Sequence, residues 1–453
     1  MTIENSSPVA SPADSLAITL ITTRGDEAAC RARLAAAQDR AAAVEPWLHA
    51  FYHRPGDYAA QDPRTLAQLP LAGVPIGVKD LIATADMPTT YGSPIYADFQ
   101  PAADAWIVAR IRTLGGVVFG KTVTTEFAWR HPGPTVNPWN PRHTPGGSSS
   151  GSAAAVAAGI VPLALGTQTV GSVLRPAAFC GVVGYKPSHG GVPTEGVHPL
   201  APSLDHVGFF AKTVEDVAVA HALFVDADAD PDTGPDADPD ARPHASALRS
   251  ADAWHAYFAA AQPQRLGVVR TPFWDRVSDA QRANFEQALA RLRAAGVIVV
   301  ERDPFDDMPA ILDALQTVLR AEAFVGIGPL AASHPHLLSE HMKVLTAAGA
   351  AVPPETYQAA LALQQRLRGT FARFLDGCDA LVTIPAAGAA PEGLSDTGDA
   401  TFCAPWSFLG VPAVSVPSGS DAAGLPLGLQ LVGGMGADLA LLRNAAWVER
   451  IVR

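Results

Sequence analysis

Apolar positions recur along this chain in two alternating rhythms. In residues 104–114, Ile107, Ile111 and Leu114 fall at i, i+4 and i+7, the stripe of an amphipathic helix. Gly115 and Gly116 end that stripe, and Val117, Val118 and Phe119 follow as a run that predicts a strand. The same unit returns at 278–300. Ser278 and Gln281 predict a capping box, Phe285, Leu289 and Leu292 the buried stripe, Gly296 the stop, and 297–300 the strand. Thr213 with Asp216 predicts a cap for a helix running through Val225. Alanine-rich residues 27–44 predict a surface helix, and 354–375 a long helix. Short apolar runs at 71–80, 380–384 and 411–416 predict buried strands. Helix–glycine–strand units of this kind predict an α/β fold with a largely buried sheet.

Composition narrows the class. The chain has 453 residues, 48% of them hydrophobic and only 17% charged, with 39 Gly and 39 Pro. That suits a compact enzyme rich in turns better than a coiled coil or a disordered chain. Net charge is −12, and residues 226–243 supply seven Asp against one Arg. No basic footprint remains for nucleic acid, and 226–245 is expected to be a solvated acidic loop. The longest apolar run, 153–165, is too short for a membrane span and is broken by Gly159 and Pro162. Cys30, Cys180, Cys378 and Cys403 lack metal-ligand spacing and are expected to be buried free thiols. The N-terminus has no basic region like that of a signal peptide, so the expectation is a cytoplasmic protein that spans no membrane.

Three motifs carry chemistry. Gly115, four residues, Gly120, Lys121 and Thr122 match the phosphate-loop pattern literally. A phosphate cradle needs a strand before it and a helix after it, and here that order is reversed. Lys121 is therefore expected to be a structural or rim lysine. Gly147 to Gly151 matches the nucleophile-elbow spacing around Ser149, but the preceding residues 137–145 form a Pro-rich loop instead of a strand. The nearby His131 and His143 are expected to be solvated or capping. The third pattern is the densest. Gly146-Gly-Ser-Ser-Ser-Gly-Ser152 precedes an apolar stretch and then Gly166-Thr-Gln-Thr-Val-Gly-Ser172. Glycine lets backbone approach a ligand closely, and serine supplies a nucleophile or a proton carrier.

Together with Gly73-Val-Pro-Ile-Gly-Val-Lys79-Asp80, Gly120-Lys-Thr with Glu126-Phe-Ala, Asn137-Pro-Trp-Asn-Pro, Cys180-Gly-Val-Val-Gly-Tyr-Lys186-Pro, Ser203-Leu-Asp-His-Val-Gly208 and the 405–419 segment, these pieces resemble the amidase signature family. The resemblance covers most of the chain in order. It implies a single large α/β domain with a central mixed β-sheet flanked by helices on both faces. Within it, about 1–65 would be an N-terminal helical segment, about 66–225 the catalytic core, and 246–453 the remainder that completes the fold. It implies an amidohydrolase acting on linear amides, with no metal or organic cofactor. An alternative is a protein resembling the glutaminase component of glutamyl-tRNA amidotransferase, working in a complex. Relatives are often homodimers, and a homodimer is the expectation by analogy.

The resemblance also implies roles. Ser172 would be the nucleophile, Ser148, following a cis peptide at Gly147, the relay, and Lys79 the base. Backbone N–H groups of Thr169, Val170, Gly171 and Ser172 would form an oxyanion hole. Two departures from the family pattern stand out: Val170 occupies a usual glycine position, and Arg175 lies three residues after the nucleophile where many relatives have arginine two after. Arg175 is a candidate anchor for a substrate carboxylate, which would favour acidic or ureido amides, or else an ion-pair partner that holds the turn. Tyr91, Trp129 and Trp406 are candidate pocket-lining residues, Trp406 having core packing as its alternative.

Overall fold

The structure, a computed structural model, describes residues 16–58, 61–225, 251–259, 262–305 and 307–453. The acidic 226–245 segment lies outside the described residues. Eleven strands form one mixed sheet: β1 (Phe51–His53), β2 (Pro75–Lys79), β3 (Val117–Thr122), β4 (Leu163–Gln168), β5 (Val183–Lys186), β6 (His206–Ala211), β7 (Arg265–Val269), β8 (Ile298–Arg302), β9 (Ala380–Thr383), β10 (Ala413–Ser420) and β11 (Pro426–Val432). Their order is β1-β3-β2-β4-β6-β5-β10-β11-β9-β7-β8. β2 runs parallel to β3 and β4, while β5, β6, β10 and β11 pair antiparallel with their neighbours. The strands of the 66–225 region and of the C-terminal half thus share one sheet.

Period-two burial explains why the sheet takes helices on both faces. Leu163 and Leu165 of β4 pack into one apolar cluster with Phe209, and Ala164 into another with Phe210. The first cluster is closed by helices Val214–Phe224, Asp279–Ala294 and Asp438–Val452. The second is closed by Ser150–Ala157 and part of Glu27–Leu48. A third cluster joins helices Met308–Ser333, Glu340–Ala350 and Pro354–Leu375 to the sheet through Leu381, Val432 and Trp406. Among the described residues, no helix is long and apolar enough to cross a membrane.

Most predicted elements stand within a few residues of their expected bounds, with instructive differences. Ser278 accepts the N–H of Gln281, yet the Gln281 side chain donates to the Gly428 carbonyl at 2.8 Å instead of returning to the cap. The Ser278 N–H donates to the Ala387 carbonyl, so only half the predicted capping box exists. The strand after this helix, β8, lies at the sheet edge with Ile298 51% exposed, so it is not buried on both faces. Cys30, Cys180 and Cys403 are buried free thiols, whereas Cys378 is half-buried.

Candidate active site

The C-terminal ends of the parallel strands β2 and β4 converge on one cavity, the position where open α/β sheets bind ligands. Lys79 is the last residue of β2 and is fully buried. Its Nζ lies 2.7 Å from Ser148 Oγ, 2.7 Å from Thr167 Oγ1 and 3.3 Å from the Thr167 carbonyl oxygen. All three partners are uncharged oxygens, so burial pushes the lysine well below its usual 10.5, and the field of Asp205 offsets this only in part. The other two buried lysines are held differently. Lys121 sits 3.6 Å from Asp80 and donates to Thr89 and the Ile82 carbonyl; burial brings it down to about 8. It is a structural lysine and not a rim one. Lys186 donates to the Pro187 and Val411 carbonyls, and burial lowers it to about 7.

A neutral amine has two N–H donors and one lone pair. At Lys79 the two donors can be taken by Thr167 Oγ1 and the Thr167 carbonyl, which leaves the lone pair for the Ser148 hydroxyl. The protonated form places its three donors on the same three oxygens. The pocket therefore satisfies both states without moving a heavy atom.

The serine cluster divides its labour. A cis peptide joins Gly147 and Ser148. Ser149 Oγ donates to the Thr167 carbonyl and accepts the Thr167 N–H, clamping the loop to β4. Ser150 Oγ donates to the Gly146 carbonyl, and Ser152 Oγ donates to the Leu165 carbonyl beside Thr122. Gly151 is required sterically, because a Cβ there would lie 2.1 Å from the Ala50 carbonyl oxygen. Ser149, Ser150 and Ser152 thus hold backbone, while Ser148 and Ser172 both line a cavity of about 410 Å³. Among the described residues, no hydrogen bond joins the Ser148 and Ser172 hydroxyls; the Ser149 N–H donates to the Ser172 carbonyl at 3.4 Å.

The turn after β4 is organised by a side chain that sequence reasoning passed over. Gln168 Oε1 accepts the N–H groups of Val173 and Leu174, at 2.8 and 3.0 Å. Its amide nitrogen donates to Ser407 Oγ, which in turn donates to the Val170 carbonyl at 2.6 Å. Gln168 thereby takes the N–H groups beyond Ser172. Among the described residues, those of Thr169, Val170, Gly171 and Ser172 have no internal acceptor, and all four residues line the cavity. Val170 is fixed through its carbonyl although it stands where glycine is usual.

Arg175 is buried and lines the same cavity, and its guanidinium is partly committed. It donates to the Gly147 carbonyl at 2.6 Å, the Gly398 carbonyl at 2.8 Å and Thr397 Oγ1 at 3.1 Å. The expected ion pair is absent among the described residues: Arg175 ties two loops together through carbonyls, with three of its five N–H donors taken and Nε left without a partner. Trp406 is wholly buried in the third apolar cluster and does not line the cavity, which corrects its candidacy. Tyr91 also lies off the cavity wall. It packs on Tyr96, Phe127 and His198, and its carbonyl accepts the Phe127 N–H. Trp129 does line the cavity, while His131 and His143 do not.

Two polar groups near the lysine were not singled out from the sequence. Thr167 is Lys79's second ligand. Asp205 accepts the Thr169 hydroxyl at 2.5 Å and the N–H groups of Leu200 and Ala201. Burial raises it to about 6 against those hydrogen bonds. Both lie inside the quoted motif pieces, at Gly166-Thr167-Gln and Ser203-Leu-Asp205, so the signal was present without an assigned role.

Known proteins show which family the chain belongs to. A 277-residue stretch is 42% identical to the A-type subunit of the glutamyl-tRNA(Gln) amidotransferase from Acidothermus cellulolyticus, covering 58% of this chain and 53%, about half, of that protein. Its counterpart in Synechococcus sp. strain WH7803 is 31% identical over 456 residues, 91% of each chain. A crystal structure of an amidase superposes with a TM-score of 0.79 at 30% identity, covering 96% of this chain and 99% of that one. The family model described as Amidase matches residues 28–442, and the chain belongs to this amidase signature family of amidohydrolases.

Proposed function

We propose that the chain hydrolyses the carbon–nitrogen bond of a small linear amide through Ser172, Ser148 and Lys79. The observation that carries this reading is the 2.7 Å contact of a buried, charge-disfavoured Lys79 with Ser148, at the wall of the cavity that Ser172 also lines. Neutral Lys79 takes the Ser148 proton while Ser148 takes that of Ser172, whose Oγ forms a bond to the amide carbon. The Ser148–Ser172 link closes in the substrate complex; such contacts are often open in free enzymes. The carbonyl oxygen gains negative charge and draws on the free N–H groups of 169–172, each worth about 3–4 kcal/mol of barrier. The leaving nitrogen takes a proton back through Ser148, and the C–N bond breaks. Water then attacks the acyl-enzyme by the same relay, releasing the acid and restoring Ser172.

A second reading, a glutaminase working within a complex, is favoured by the names of the curated relatives. A fluorophosphonate probe and an ammonia-release screen over small amides, amino-acid amides and ureido acids test the first. Labelling and turnover in wild type, with neither in Ser172→Ala, support it; an unlabelled wild type counts against the mechanism. Activity that appears only with co-purified partner proteins would favour the second reading. The ureido sub-class rests on what Arg175 has left: three of its five N–H donors are engaged, and Nε has no partner among the described residues.

A further inference from the structure

The cavity mouth carries opposite charges that do not pair with each other. Trp129 and Arg130 form one wall, and Asp396 stands on the lining with Gly398 and Asp399. Arg130 lies over the Trp129 ring, 5.1 Å from its centroid, and among the described residues its guanidinium makes no hydrogen bond or ion pair. Asp396 Oδ1 accepts the Gly398 N–H at 2.6 Å, and Oδ2 has no partner among the described residues. Asp399 is engaged, by Thr401 and by Arg276 at 3.7 Å. Both free groups lie within electrostatic reach of Arg175 at the centre of the site.

The segment presenting Arg130 is built and costly. Phe127, Ala128 and Arg130 all adopt positive φ, at 45°, 63° and 46°. Non-glycine residues stay in that region only where their surroundings over-determine it, and such strain gathers at ligand sites. Here the restraint is visible. The Glu126 carboxylate accepts the Ser93 hydroxyl at 2.9 Å and the Ser339 N–H at 3.0 Å, and its own N–H donates to the His131 carbonyl. The Phe127 N–H donates to Tyr91 and that of Ala128 to Thr125. An arginine held on an aromatic face loses less freedom on binding than a free one.

We propose that the mouth selects a dipolar amide, one carrying a carboxylate and an ammonium group away from the reacting carbonyl, with Arg130 receiving the carboxylate and Asp396 the ammonium. The proposal rests on the amidase reading and deepens it. Four compounds with one spacing form the test: propionamide, succinamate, 3-aminopropionamide and asparagine. Calorimetric binding to Ser172→Ala protein reads recognition without any turnover, so a failure of the catalytic reading is separately visible in probe labelling. Asparagine should bind most tightly. Arg130→Gln should weaken succinamate and asparagine roughly 10- to 100-fold more than propionamide, and Asp396→Asn should act likewise on 3-aminopropionamide and asparagine. Steady-state kcat/KM on active enzyme should follow the same order. Binding indifferent to charge, no binding of any of the four, or variants that weaken all four alike would overturn the assignment.

Discussion

Replacing Thr167 with valine removes one oxygen from the lysine and leaves nearly the same volume. Lys79 Nζ has three oxygen partners, and the Thr167 hydroxyl at 2.7 Å is the shorter of the two that come from Thr167. Without it, one donor of a fully buried amine has no acceptor. An unsatisfied buried donor costs about 1–3 kcal/mol, and more when the group is charged. The cost falls unevenly along the reaction. Neutral Lys79, with two donors, then leaves one uncharged donor without an acceptor, the smaller of the two losses. Protonated Lys79, which forms as Ser172 attacks, has three and needs all three oxygens. The penalty therefore lies mainly in the transition state. At 1.36 kcal/mol per factor of ten, kcat should fall roughly 5- to 150-fold. KM should move far less, and Thr167→Ser, which restores the hydroxyl, should recover most of the rate. Initial-rate ammonia release on the best amide from the screen, with thermal denaturation to establish folding, measures this. A folded Thr167→Val enzyme with wild-type kcat would refute the reasoning, because Lys79 would then not depend on its second oxygen.

Asp205→Asn removes a negative field that raises the Lys79 pKa. The neutral amine is the active form, so a lower pKa should move the acidic limb of the kcat/KM profile to lower pH, and an unmoved limb would dissociate Lys79 from it. Arg175→Met should reduce kcat for neutral and acidic amides alike, since its partners are the Gly147 and Gly398 carbonyls; a KM effect confined to acidic amides would instead assign it the anchor role. Gly166→Ala would put a Cβ 2.7 Å from Ser149 Oγ and 2.6 Å from the Phe210 ring, displacing the clamp between the Ser148 loop and β4. Its kcat should fall by at least about tenfold while the protein stays folded, and wild-type kcat would show that the clamp does not position Ser148. Trp406→Ala should cost about 3–5 kcal/mol of stability, read by denaturant unfolding, as expected of a core residue.

What the sequence made legible, and what it hid, divides by the range of the interactions. Amphipathic stripes and glycine stops are local, so the helix of 106–113 and the strand β3 after it can be read from spacing alone. Lys79, Ser148 and Ser172 are singled out by the family resemblance that their glycine- and serine-rich motifs carry, and the fold brings Lys79 to within 2.7 Å of Ser148. The differences concern long side chains whose ends are fixed by remote backbone. Arg175 reaches Gly398, 223 positions away, and Gln281 reaches Gly428, 147 positions away. No pattern around an arginine or glutamine reveals which distant carbonyl will meet it, so spacing alone suggests only the nearest familiar role. Trp406 departs from expectation for the opposite reason. A tryptophan beside a catalytic motif invites a binding role, yet burial of so large a ring is favourable wherever the fold offers space. Arg130 is silent in the sequence because nothing in the letters Trp-Arg-His marks a left-handed backbone. Only the positive φ angles of 127, 128 and 130, together with the Glu126 carboxylate that pins them, distinguish this arginine from an ordinary surface one. Features shared across the family are thus written in short motifs. In the proposed reading the choice of substrate is carried by contacts between segments far apart in the chain, and these become visible only once the fold has brought residues 128–130 and 396–401 to the same cavity.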